Sequence, residues 1–326
     1  MNFSVMAEEK GVTKYSNNRR GKYFVTAPGN GKIPHITIAA NTVPEAWELA
    51  MLSCWDYGTE IHTHYDKDET GKYIHPPSKE ATIKVIINNP FNEPRIHRNF
   101  PGGPAELEVY RQEVVKGIHD HWINPIEGKW TYTYHERLFN YNPSKDLKSK
   151  KRGLLLPQGV NQMDKLINDL ARDPTSKGAQ ATTWMPTADP GLESNRPCLR
   201  DLWFRLLEDN EGEYVVNMNC YFRSRDLFKA WFMNVYALTD LHKRVALGLS
   251  YKLGEDVKIG EYSDTSDSLH IYGAYFNDAE IEVKKMRNPN MEKRVWSSDE
   301  PSFVSMTKEA KLNLRKDPDY YAKGGN

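Results

Sequence analysis

Three short stretches of this 326-residue chain carry side chains suited to covalent and acid–base chemistry. They are Arg196-Pro197-Cys198, Phe222-Arg223-Ser224-Arg225-Asp226 followed eight residues past the Asp by Asn234, and Asp267-Ser268-Leu269-His270-Ile271-Tyr272. A cysteine becomes a nucleophile only as the thiolate, so Cys198 needs positive charge nearby. Arg223 can supply it, and its planar fork also matches an anionic group such as a phosphate. Asn234 offers a donor and an acceptor, which suits the edge of a pyrimidine. His270 and Tyr272, two apart on a strand, share a face and can hydrogen-bond sugar hydroxyls. Each stretch taken singly also has an ordinary structural use, as a salt-bridged strand end or as core filler. The combination in this order is what points to a site.

The elements that must position these residues can be read from pattern. Cys198 falls at a loop-to-strand junction. CLRDLWFRLLEDNEGEYVVNMNCYFRSRD reads as two strands joined across Asp209-Asn210-Glu211-Gly212. LFKAWFMNVYALTDLHKRVALGLSYKLG is a long buried helix, and VKIGEYSDTSDSLHIYG a strand. Upstream, TVPEAWELAMLSCWDYG is a helix opened by Thr42 and closed at Gly58, with Cys54 in its core, and ATIKVIINNP is a β-branched strand ended by Pro90. AELEVYRQEVVKGIHDHW places Leu107, Tyr110, Val114 and Ile118 on one helical face. VNQMDKLINDLARDP is an amphipathic helix, AQATTWMP a strand, and SFVSMTKEAKLNLRK a helix near the end. Residues 1 to about 34 read as a polar arm with at most one short strand, GKYFVTA. YNPSKDLKSKKRG reads as a basic, solvated loop. Strands and helices alternate irregularly, which predicts an α/β (α+β) chain with a mixed sheet packed by helices.

Composition narrows the functions. There are 44 basic and 44 acidic side chains, so a nucleic-acid-binding surface is not expected, although a local anion pocket is. Mean hydropathy is −0.72 with no long apolar run, which predicts no membrane span. Three cysteines without a CxxC pair, and no secretory signal, predict a reduced cytoplasmic protein with no metal site.

The order P-C, R-S-x-D, Asn eight residues on, then D-x-x-H-I-Y resembles thymidylate synthase and its relatives, the pyrimidine-nucleotide hydroxymethylases. NDLARDPTSKGAQATTW resembles the family's helix-DPxSRR-strand-W segment, YTYHERL its VYGxxWR segment, and YRQEVVKGIHDHW its helix and IWDxW run. The likeness spans roughly residues 47–280. It implies a thymidylate-synthase-like fold, with a catalytic domain over residues 41–285 between an N-terminal extension (1–40) and a tail with a short helix (286–326). It further implies that Cys198 attacks C6 of the base, making C5 a nucleophile toward 5,10-methylenetetrahydrofolate. Arg223 and Ser224 would hold the phosphate of a pyrimidine nucleoside monophosphate, Asp226 and Asn234 the base, and His270 and Tyr272 the sugar. Tyr134 would join the relay that removes the C5 proton. Glu106 is the first choice for the family's catalytic glutamate and Glu93 the second. The family is homodimeric, with a phosphate site that borrows arginines from the partner subunit.

Four departures from the family pattern bear on function. The DPxSRR arginines are Lys177 and Gly178, which asks Lys177, Arg196 or Arg225 to compensate. Leu199 follows the nucleophile where synthases have His. The first Trp of IWDxW is His119, with Trp122 in the second place. That indole packs on the folate side and keeps water out, so its loss predicts a hydroxymethyl product. The apolar closing segment of the family is not found in KDPDYYAKGGN. The pattern is closest to CMP 5-hydroxymethylase-type members, and hydroxymethylation of CMP or dCMP is the first expectation. Methylation of dUMP, and a nucleotide-binding protein that keeps the fold without turnover, are the alternatives.

Overall fold

The computed structural model describes residues 4–9, 12–17, 21–26, 31–124, 127, 130–142, 159–192 and 196–316. The basic stretch YNPSKDLKSKKRG and the final KDPDYYAKGGN lie almost wholly outside them. In chain order the elements begin with β1 (Ser4–Glu9), β2 (Val12–Asn17), β3 (Gly21–Thr26), β4 (His35–Ala40), α1 (Val43–Tyr57), β5 (Thr59–Ile61), β6 (Ser78–Ile87) and β7 (Ile96–His97). Next come α2 (Gly103–Lys116), α3 (Tyr134–Phe139), α4 (Gln162–Arg172), β8 (Gln180–Thr182), β9 (Leu199–Glu208) and β10 (Tyr214–Asp226). The series ends with α5 (Trp231–Leu253), β11 (Val257–Ile271), α6 (Phe276–Met286), β12 (Val295–Trp296) and α7 (Pro301–Arg315). They divide into two compact units, each drawn from three stretches of chain. Unit 1 comprises residues 1–104, 222–235 and 261–305, and unit 2 the remainder.

In unit 1 the strand neighbours run β1-β2-β3-β4-β6-β11, with β5 also on β6. β4 and β6 are parallel, whereas β1–β2, β2–β3, β3–β4, β5–β6 and β6–β11 are antiparallel, so the sheet is mixed, as expected. The polar arm was expected to hold one strand at most, and it holds three. β1, β2 and β3 form an antiparallel meander whose last strand joins β4. Ladder pairing onto a neighbour makes these strands, whatever their own weak propensity. α1 is fixed at its start by a capping box between Thr42 and Glu45. Its end needs Gly58, where a Cβ would meet the Cys54 carbonyl at 2.4 Å. Buried residues occur all round α1, including Trp47, Leu49, Met51 and Cys54, as befits a helix enclosed by its own unit. The Trp47 indole N–H donates to the Leu227 carbonyl at 3.0 Å. Burial pushes the Cys54 thiol up to about 12, so it is inert at neutral pH.

In unit 2, β8 pairs antiparallel with β9, and β9 neighbours β10 across the acidic hairpin. α4 buries Met163, Leu166, Ile167 and Leu170, the i, i+3, i+4, i+7 stripe of an amphipathic helix. Among the described residues no helix is long and apolar enough to cross a membrane.

His242 of α5 is fully buried in unit 2, with Nε2 2.7 Å from the Val216 carbonyl. A carbonyl only accepts, so Nε2 carries the proton. Burial pushes its pKa down to about 4 from the ordinary 6.5. Between these values the unfolded chain binds the extra proton, so stability is complete above about pH 6.5 and falls as pH drops toward 4. The expected loss is about 3 kcal/mol, read as urea midpoints across that range. His242→Gln is expected to flatten the dependence.

Candidate active site

The chemistry-bearing residues of unit 2 gather around the end of α2. That helix stops at Gly117, whose φ of +68° turns the chain sharply. A Cβ there would lie 2.2 Å from His135 Nδ1 and 2.7 Å from Asp120 Oδ2, so only glycine fits. The turn swings His119 back onto the helix, where its Nδ1 is 2.7 Å from Glu113 Oε2. The His119 ring stacks on Trp122 at 3.7 Å and 11°, and Trp130 stands edge-on to both. Asp120 braces the next segment: Thr133 Oγ1 donates to its Oδ1 at 2.5 Å, and His135 Nδ1 lies 2.7 Å from its Oδ2. The same Thr133 hydroxyl caps α3 by accepting from Glu136 N at 2.9 Å.

That bracket sets Tyr134 at the first position of α3. Its hydroxyl accepts the Leu199 N–H at 3.1 Å, so it holds the backbone immediately after Cys198. Leu199 is fully buried and begins β9, while Cys198 is half-buried. The Cys198 thiol lies 3.9 Å from the Arg196 carbonyl, a long contact. A cavity of about 270 Å³ is lined by Tyr110, Glu113 and Trp130 through Tyr134. Its carboxylate is Glu113, which the sequence reading did not single out. Glu106 lies exposed in the first turn of α2, where a carboxylate favours the helix dipole. Glu93 ties a loop together, accepting from Arg95 N at 2.8 Å and Ser298 N at 3.0 Å. Glu113 sits three residues past Tyr110, and that i, i+3 spacing from an aromatic was the available signal. Trp130 was likewise missed, because it precedes the YTYHERL segment and had no pattern of its own.

Tyr134→Phe is expected to cost about 1–3 kcal/mol of stability, because it leaves the buried Leu199 N–H without that acceptor. Urea unfolding reads this directly, and an unchanged midpoint would remove the bond from the account.

Unit 1 holds the other predicted group. Arg223 donates to Ser224 Oγ at 3.2 Å. Asp226 Oδ1 accepts from Phe228 N at 2.9 Å and Lys229 N at 3.0 Å, and so shapes the turn into α5. Asn234 is buried in the first turns of that helix. His270 is the penultimate residue of β11, beyond a register shift between Ser266 and Leu269, and its ring meets Tyr272 at 4.4 Å and 67°. Its Nδ1 lies 3.1 Å from the Ser268 carbonyl, and its buried Nε2 lacks a hydrogen-bond partner among the described residues. Burial pushes the Asp226 carboxyl up and the His270 ring down, so each is drawn toward its neutral form. Arg225, one of three residues expected to replace the missing arginine pair, is instead an internal ion pair. It is buried, donates to Asp264 at 2.5 Å and Ser266 at 2.9 Å, and lies 3.8 Å over the Phe222 ring. Lys177 and Arg196 are both exposed in unit 2, and Arg196 Nε donates to the Leu192 carbonyl at 2.6 Å.

Unit 2 thus brings together a thiol next to a tyrosine-held backbone, a carboxylate–imidazole pair and a cavity with one indole in its wall. The thymidylate synthase family profile matches residues 107–313. A protein of Methanosarcina mazei named "Putative thymidylate synthase" is 28% identical over 247 residues, covering 76% of this chain and 94% of its own. One of the same name from Methanothermobacter marburgensis is 31% identical over 255 residues, covering 76% and 97%. The structure of thermostable thymidylate synthase A from Bacillus subtilis aligns with a TM-score of 0.51 at 14% identity, over 75% of this chain and 84% of that one, a likeness of fold alone. The chain belongs to the thymidylate synthase family. Enzymes of this family act on pyrimidine nucleotides with folate-type one-carbon donors.

Proposed function

We propose that this protein transfers a one-carbon unit to C5 of a pyrimidine nucleoside monophosphate, with hydroxymethylation of CMP or dCMP as the reaction. The observation that carries the hydroxymethyl reading is His119. Where the resemblance expects a water-excluding indole, an imidazole is bonded to Glu113 beside the cavity. Cys198 adds through sulfur to C6 of the base, which makes C5 nucleophilic. Tyr134 and Glu113 serve the relay that takes the C5 proton. Arg223 and Ser224 bind phosphate, Asp226 and Asn234 the base edge, and His270 and Tyr272 the sugar. The partnerless Nε2 of His270 suits such a hydroxyl.

Trp122, stacked on His119, and Trp130, edge-on to both, offer aromatic surface that suits a pterin ring. Methylenetetrahydrofolate, when bound, supplies the one-carbon unit. We assign catalysis to residues 41–285 acting as a homodimer. A thymidylate synthase that methylates dUMP is the second reading, favoured by the names of the methanogen relatives.

Tritium release from C5-labelled CMP, dCMP, UMP and dUMP, with and without the folate, tests the reading, and the product mass identifies the group added. Release from a cytosine nucleotide with a hydroxymethyl product is the expected result. A methyl product on dUMP with stoichiometric dihydrofolate would replace it by the second reading. No release from any nucleotide would leave binding without turnover.

A further inference from the structure

The Glu113–His119 pair has the geometry of a base poised to activate water. Glu113 can only accept, so the 2.7 Å contact requires that Nδ1 of His119 carry the proton. Nε2 then holds the lone pair, and the carboxylate fixes the tautomer and the orientation of the ring. The ring cannot tumble, because it is buried and stacked flat on Trp122 with Trp130 across its edge. Glu113 and Trp130 both line the cavity that also holds Tyr134, and Tyr134 grips the backbone next to Cys198. An indole at residue 119 could exclude water but could not take a proton.

We propose that His119, oriented by Glu113, is the general base that adds water to the one-carbon unit on C5; this rests on the hydroxymethyl reading above. Once the C5 proton has left, the carbon–nitrogen bond between the one-carbon unit and the folate breaks, tetrahydrofolate departs, and the Cys198-bound pyrimidine carries an exocyclic methylene. The water oxygen bonds to that carbon, its proton passes to Nε2 of His119, and the C6–S bond breaks to return the Cys198 thiolate. No electrons are transferred to or from the folate, and water is the sole co-reactant.

The test compares His119→Phe, which keeps a flat ring on Trp122 without nitrogens, with the wild-type enzyme. In a single turnover the variant is expected to release C5 tritium within about three-fold of the wild-type rate, and to accumulate a covalent nucleotide adduct visible by intact mass. Its steady-state hydroxymethyl product should fall about 100-fold, the usual scale of a lost general base. Added 4-methylimidazole should restore product to His119→Gly at least about ten-fold, which a merely structural role would not allow. Hydroxymethyl product within about three-fold of wild type in His119→Phe would overturn the proposal, as would an equal fall in single-turnover release. A wild-type methyl product would sink the hydroxymethyl reading itself. That outcome is read from the wild-type enzyme alone, so the two failures remain separate.

Discussion

Cys198→Ser is expected to reduce turnover by about 10⁴-fold or more while leaving the melting temperature nearly unchanged. The replacement is close to isosteric at a half-buried position, and the thiol's contact with the Arg196 carbonyl is a long one, so little packing is lost. The chemistry suffers far more. A thiol near neutrality supplies a usable fraction of thiolate, whereas a hydroxyl without a dedicated base does not. A 10⁴-fold effect corresponds to about 5.5 kcal/mol of transition-state stabilisation. Steady-state rates and intact-mass detection of the nucleotide adduct check it together. Cys54→Ser is the control: Cys54 donates weakly to the Lys79 and Leu269 carbonyls inside unit 1, and its replacement should leave the adduct intact. Turnover retained by Cys198→Ser would require a different nucleophile.

The second large effect concerns stability. Glu48 of α1 is fully buried in unit 1 and accepts from Arg294 Nε at 2.7 Å and Nη2 at 3.1 Å, with His97 Nε2 3.0 Å away. Arg294 also donates to the Asn290 and Asn288 carbonyls, so its guanidinium cannot leave when the carboxylate is removed. Glu48→Gln keeps the shape and strands a buried cation, at an expected cost of about 3–5 kcal/mol. That is a large fraction of the roughly 5–15 kcal/mol by which folded chains are stable. Urea unfolding of Glu48→Gln, Arg294→Met and the double variant closes a cycle. The double variant should recover much of the loss, since a neutral pair leaves no orphaned charge. A single-variant loss below about 1 kcal/mol would mean that water reaches the pair.

Much of this molecule is legible in its sequence, for identifiable reasons. α1 announces itself through Thr42, Glu45 and Gly58, the β9–β10 hairpin through its Asp-Asn-Glu-Gly turn, and α4 through its apolar spacing. These signals are local. What escaped depends on contacts between distant residues. β1 and β2 exist because β3 offers a ladder, and nothing in SVMAEE or VTKYSN requires it. Glu113 acquires its partner only because Gly117 bends the chain at positive φ, which an apolar helical pattern does not register. Tyr134 could be placed by resemblance, but its bond to Leu199 spans 65 residues of sequence. Arg225 is held by the buried Asp264, a partner 39 residues away in sequence that no local pattern reveals.

The interleaved division of the chain has a consequence for its biosynthesis. Unit 1 begins with residues 1–104 but needs residues 222–235 and 261–305 to be complete. Unit 2 in turn waits for residues 236–260 and the segment from 306 onward. At translation rates of ~5–20 residues per second, an unfinished first segment must persist for roughly 6–24 s before residue 222 is even made. During that interval the edge of β6 that β11 will cover is open to foreign strands. Nascent chains stalled near residue 220 should therefore be protease-sensitive throughout and dependent on chaperones, and resistance should arrive late and nearly at once.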